Sequence, residues 1–150
     1  MFKKIAAVFT ACLMVVVCVS ENAFADRRSY VWTYEYQTMP KGMSEIEFYL
    51  TEEQKDIEAA RPNVWKPQVE LEYGITDHWD VSMYQMVKQS NTDDSSDFTY
   101  DGFKIETKYR LFEKDSLPVD VLFYFEYERP RDFKDPNELE EKLVFAKDIG

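Results

Sequence analysis

From Val64 to Val87 the chain reads VWKPQVELEYGITDHWDVSMYQMV, and its apolar and polar residues alternate with a period of two. Trp65, Pro67, Val69, Leu71 and Tyr73 fall on one side of the first arm; Lys66, Gln68, Glu70 and Glu72 fall on the other. Trp79, Val81, Met83 and Val87 continue the apolar row on the second arm, opposite Asp80, Ser82 and Tyr84. Successive strand side chains point to opposite faces, so the pattern predicts a hairpin with one apolar and one charged face, turning at Gly74 to His78.

The same period recurs along the chain. Tyr30 to Gln37 predicts a strand whose one face, Tyr30, Trp32, Tyr34 and Tyr36, is wholly aromatic. Thr38-Met39-Pro40-Lys41-Gly42 is turn chemistry, and Ser44 to Leu50 sets Ile46, Phe48 and Leu50 against Glu45, Glu47 and Tyr49. Thr51 to Arg61 reads as a polar loop or a short helix capped by Thr51 and Gln54, and Lys88 to Asp97 as a polar loop. Phe98 to Leu111 carries Phe103, Ile105, Thr107, Tyr109 and Leu111 opposite Lys104, Glu106, Lys108 and Arg110. Val119 to Glu128 sets Val119, Val121, Phe123, Phe125 and Tyr127 against Asp120, Leu122, Tyr124, Glu126 and Glu128, and Glu138 to Ile149 alternates more weakly. About seven strands joined by short loops predict an all-β antiparallel meander.

Two architectures share such a pattern. A soluble exported β-barrel turns the apolar rows inward to form a ligand pocket. An outer-membrane barrel turns them to lipid and the charged rows to the lumen. Two of the predicted strands reach the ~9–11 residues that a tilted membrane-crossing strand needs. Trp65, Tyr73, Trp79, Tyr109 and Tyr127 end apolar rows, as interface aromatics do. Glycine is scarce: Gly42, Gly74 and Gly102 precede Gly150. These features favour an antiparallel meander β-barrel of the outer-membrane type.

The first residues agree with export. Lys3 and Lys4 precede an uncharged run, Ile5 to Val19, and Ala23-Phe24-Ala25 fits a cleavage site, so residues 1–25 read as a signal peptide and 26–150 as the barrel. Both cysteines, Cys12 and Cys18, lie in the leader. Lys3 and Lys4 against Glu21 leave −12 of the chain's −11 net charge on residues 26–150, which argues against a nucleic-acid partner.

The words Thr38-Met39-Pro40-Lys41-Gly42 with Glu45 and Glu47, and Val69 to Asp77, VELEYGITD, resemble Gram-negative outer-membrane β-barrels of the phenol-degradation-pathway-like, putative transporter family. The resemblance implies a channel or transporter for small molecules. Such a protein contacts membrane lipid, lipopolysaccharide and the outer-membrane assembly machinery, with small solutes as cargo. An odd strand count and a non-aromatic last residue, Gly150, set the expectation that 26–150 is the N-terminal part of a larger barrel.

The candidate functional residues are the lumen-facing charges: Glu70, Glu72, Asp80, Lys104, Glu106, Lys108, Arg110, Asp120 and Glu126. Pairing about the turns would set Arg110 near Asp120, Lys104 near Glu126, Glu72 near Asp80 and Glu70 near Ser82. Their acidic balance suits cations or hydroxylated solutes, although mutually neutralising charges could equally fill a narrow interior. Asp93, Asp94 and Asp97 lack the spacing and glycine of a calcium loop. His78, the one histidine, lies in a turn with no G-x-S-x-G elbow in the chain, so neither an enzyme, a cofactor nor a metal is expected.

Overall fold

A computed structural model describes residues 35–148. Residues 1–25, read above as a signal peptide, and most of the aromatic stretch Tyr30 to Gln37 lie outside those residues. The described chain forms six strands: β1 Ser44–Gln54, β2 Asn63–Thr76, β3 Trp79–Asn91, β4 Ser96–Arg110, β5 Asp120–Pro130 and β6 Glu138–Ala146. They make one sheet in the order β1-β2-β3-β4-β5-β6, every pair antiparallel. The fold is thus an all-β antiparallel meander. Among the described residues β1 and β6 do not pair with each other, so the sheet is not closed into a barrel.

Three expectations need correction. Thr51 to Gln54 continues β1 rather than capping a helix, and Lys88 to Asn91 continues β3. Polar side chains carry these extensions because strand pairing needs backbone groups, not an apolar row. The third concerns the aromatic stretch, of which Glu35, Tyr36 and Gln37 are described: they are not strand.

The sheet is inverted relative to a water-soluble one. On its outer face Phe48 is 78 % exposed, Phe123 46 % and Phe145 65 %. On its inner face Glu70, Asp80 and Leu122 are fully buried. Val69, Leu71 and Met83 are exposed and Glu70, Glu72, Asp80 and Ser82 buried, as the alternation predicts. Soluble domains seldom leave large apolar patches bare while burying carboxylates. The small apolar core, Tyr36, Leu122 and Tyr124 with Val144 and Ala146 beside them, sits at one end of the inner face.

A line of irregularity crosses the strands. The β2–β3 ladder is interrupted at Lys66 and Pro67, between the pairs Trp65↔Gln89 and Gln68↔Met86. Proline has no N–H to give, and the gap in the ladder accommodates it. Beside that gap the β3–β4 register slips between Met86 and Val87. Gly102, at φ 144°, lies at the slip, and a Cβ there would come 2.2 Å from Arg129 O. That backbone conformation is essentially restricted to glycine.

Candidate functional site

Antiparallel pairing places side chains of one face in lateral rows. One row crosses all six strands: Glu45, Glu72, Ser82, Glu106, Glu126 and Glu140 are register partners in that order. Like charges directly opposite repel, and the flanking rows supply the countercharge. On one side run Glu47, Glu70, Tyr84, Lys104, Glu128 and Glu138. On the other run Gly74, Asp80, Lys108, Tyr124 and Lys142.

The ion pairs form between rows. Lys104 Nζ lies 3.0 Å from Glu126 Oε2, as the sequence predicts. Lys108 Nζ lies 2.7 Å from Glu72 Oε1 and 3.5 Å from Asp80 Oδ2, bridging the two acids that were expected to neighbour each other. Glu72 is in fact the register partner of Ser82, and Glu70 of Tyr84. The turn is only Asp77–His78, with a bulge between Gly74 and Thr76, and this moves the pairing by two residues while preserving the faces.

Tyrosine hydroxyls connect the carboxylates. Tyr84 and Tyr124 both donate to Glu106 Oε2, at 3.0 and 3.1 Å. Tyr124 also meets Glu126, and Tyr49 meets Glu47 and donates to Glu70 Oε2 at 2.8 Å. The ammonium groups of Lys104 and Lys142 sit over the rings of Tyr84 and Tyr124, at 4.1 and 4.5 Å. Sequence reasoning placed these tyrosines on the charged side but did not rank them as functional; the available signal was a tyrosine recurring within rows otherwise built of Glu and Lys. Two buried oxygens, Glu106 Oε1 and Ser82 Oγ, have no hydrogen-bond partner among the described residues.

Arg110 and Asp120 do not pair. Arg110 is opposite Leu122 in the register. Its Nε donates to Thr38 Oγ1 at 2.8 Å, another guanidinium nitrogen donates to Asp77 O, and the group lies over the Tyr36 ring. Asp120, buried, accepts from the backbone N–H of Asp115 at 2.8 Å and fastens the β4–β5 turn. His78 bridges the same end, with Nε2 2.8 Å from Glu113 Oε1. Asp93, Asp94 and Asp97 are exposed at the far end. Among the described residues no three His, Cys, Asp or Glu side chains are grouped to hold a metal ion.

The segment before β1 completes the site. Residues 35–43 run outside the strand ladder across the end marked by the Asp77–His78 turn. Met39 N–H donates to Asp80 Oδ2 at 2.9 Å, Thr38 Oγ1 donates to Asp77 O at 2.9 Å, and Lys41 N–H donates to Asp77 Oδ1 at 3.1 Å. Tyr36 donates to Phe112 O at 2.5 Å. Gly42 N–H donates to Gly74 O, and Gly74 N–H to Met43 O. Pro40 O lies so close that a Cβ on Gly74 would come within 2.1 Å of it.

The model of a family of unknown function, DUF6662, matches residues 22–146. No curated protein matches the chain, and no solved structure does.

Proposed function

The chain belongs to the DUF6662 family, and from its sheet we propose that it is part of an outer-membrane β-barrel whose outer face meets lipid and whose acidic inner face serves small cations or hydroxylated solutes. The observation that carries this reading is the inverted burial: Phe48, Phe123 and Phe145 exposed, Glu70 and Asp80 fully buried. Transmembrane barrels alternate apolar-out and polar-in along every strand. Strand length agrees, since the six strands run from 9 to 15 residues, and a tilted crossing needs about 9–11.

The inner face of the sheet is closely packed. Glu70, Asp80, Leu122, Tyr124 and Glu106 leave almost no surface to solvent. That favours a narrow path or a largely structural barrel over a wide pore. Lipid, lipopolysaccharide and the assembly machinery are the partners this reading implies.

Membrane fractionation tests it. The protein should stay with membranes through carbonate washing and need detergent for release, and the F123C thiol should resist water-soluble reagents in those membranes. Release by carbonate alone would sink the proposal in favour of a soluble barrel, and free labelling of F123C would contradict a lipid-facing outer face. Planar-bilayer recordings then test conduction: small cation-selective currents fit the acidic rows, and silence assigns the barrel a structural role.

A further inference from the structure

We infer that residues 36–42 are a built-in stopper at the end that holds the Asp77–His78 turn, and that they shut the acidic inner face against small cations until the segment is displaced. The inference rests on the reading of that face as a solute path.

The geometry separates the segment from the sheet it covers. It adds no strand to the ladder, so it can leave without unpairing β1 to β6. Its hold is a short series of hydrogen bonds around one rim, among them Gly42 N–H to Gly74 O on β2 and Lys41 N–H to Asp77 Oδ1. Met39 is bonded to Asp80 on β3, Thr38 to Arg110 on β4 and to Asp77 in the turn, and Tyr36 to Phe112 beyond β4. Tyr36 adds an apolar anchor, packed with Leu122 and Tyr124.

What lies behind the segment gives it a purpose. Asp80, Ser82 and Glu72 are all buried, and they are the members of the acidic rows nearest this rim on β2 and β3. A carboxylate already bonded to Met39 N–H and paired with Lys108 is not available to a passing ion. Displacing the segment would uncover an entrance at which Glu72, Asp77 and Asp80 outnumber Lys108 and Arg110, and such an excess of acid attracts cations and repels anions. Local openings of this kind draw on the less stable parts of a fold, where few bonds must break together.

Thiol access in the full-length protein tests the stopper. In S82C the thiol takes the place of a buried hydroxyl, and Cys12 and Cys18 are the chain's other cysteines, so the unsubstituted protein sets the background. A cationic methanethiosulfonate reagent should label S82C slowly. Adding Arg110→Ala, which removes the bond to Thr38, or Gly74→Ala, which drives a methyl against Pro40 O, should raise the rate roughly tenfold or more, as loss of one or two hydrogen bonds implies for a local opening. The anionic analogue should gain less. Circular dichroism identifies which variants keep the sheet, and Thr38→Ala is the milder substitute if both lose it. Equal rates with and without the substitutions, in variants that keep the sheet, would overturn the stopper, as would a larger gain for the anionic reagent. The reagents reach the thiol in detergent or in water, so a protein that proves soluble refutes the membrane reading and leaves this result readable.

Discussion

The carboxylate of Asp80 accepts a hydrogen bond from the backbone N–H of Met39, 2.9 Å away and 41 residues earlier in the chain. Its other oxygen, Oδ1, accepts from Lys108 N–H at 3.2 Å, while Lys108 Nζ stands 3.5 Å from Oδ2. One side chain thus ties the N-terminal segment, β3 and β4 together. Lys108 keeps Glu72 at 2.7 Å when Asp80 is removed, but the N–H groups of Met39 and Lys108 lose their acceptor, so Asp80→Ala should destabilise the fold by about 1–3 kcal/mol. Asp80→Asn, which keeps an acceptor, should cost less. Urea unfolding in detergent micelles reads both, and equal midpoints for the two variants would contradict this role.

Glu106 receives two hydroxyls on one oxygen, from Tyr84 and Tyr124. Either hydroxyl alone still leaves the buried carboxylate a donor; losing both does not. Tyr84→Phe and Tyr124→Phe should therefore be worse together than their separate effects predict, with a coupling of about 0.5–3 kcal/mol in a double-mutant cycle. Strict additivity would mean that the hydroxyls act independently of Glu106.

The two left-handed glycines should respond unequally to alanine. Gly42, at φ 76°, has open space where a Cβ would go, so Gly42→Ala should cost only the left-handed conformation, about 1–2 kcal/mol. Gly102→Ala adds a collision with Arg129 O at 2.2 Å. Its unfolding midpoint should fall further, and the reverse order would show that the bulge is not rigid.

A charge on the outer face distinguishes lipid from water. Phe123, exposed between Tyr109 and Leu143 in the register, belongs to the apolar face. Phe123→Arg should weaken folding into vesicles by ~2–4 kcal/mol if the site lies at mid-bilayer. Arginine at the already exposed Glu113 in the β4–β5 turn should be nearly neutral. Equal effects at the two positions would place both in water.

The faces of the sheet were legible in the sequence because a period of two survives any even shift of register. Glu72 faces Ser82 rather than Asp80, and Arg110 faces Leu122 rather than Asp120, each displaced by two residues from the symmetric pairing. The displacement comes from turn geometry, a bulge in one case and a wide turn in the other, which no alternation encodes. Lys104 still found Glu126 because its long side chain reaches diagonally to a neighbouring row. The turn at Thr38 to Gly42 was legible, but the placement of Tyr36 escaped for another reason. An aromatic row looks like a strand face, yet Tyr36 is buried as an anchor against Leu122, a contact made by residues 86 positions apart.

The inverted sheet also decides where the drive to fold comes from. Most domains collapse because water expels their apolar side chains into a shared interior. Here the interior is built of Glu, Lys and Tyr, and the side chains that water would expel point away from one another, Phe48 on β1 and Phe145 on β6 among them. Closing such a sheet in water desolvates charges and gathers little apolar surface in return. The stability of this fold is therefore not a property of the chain alone: it is set by the medium that touches the outer face, and it changes whenever that medium does.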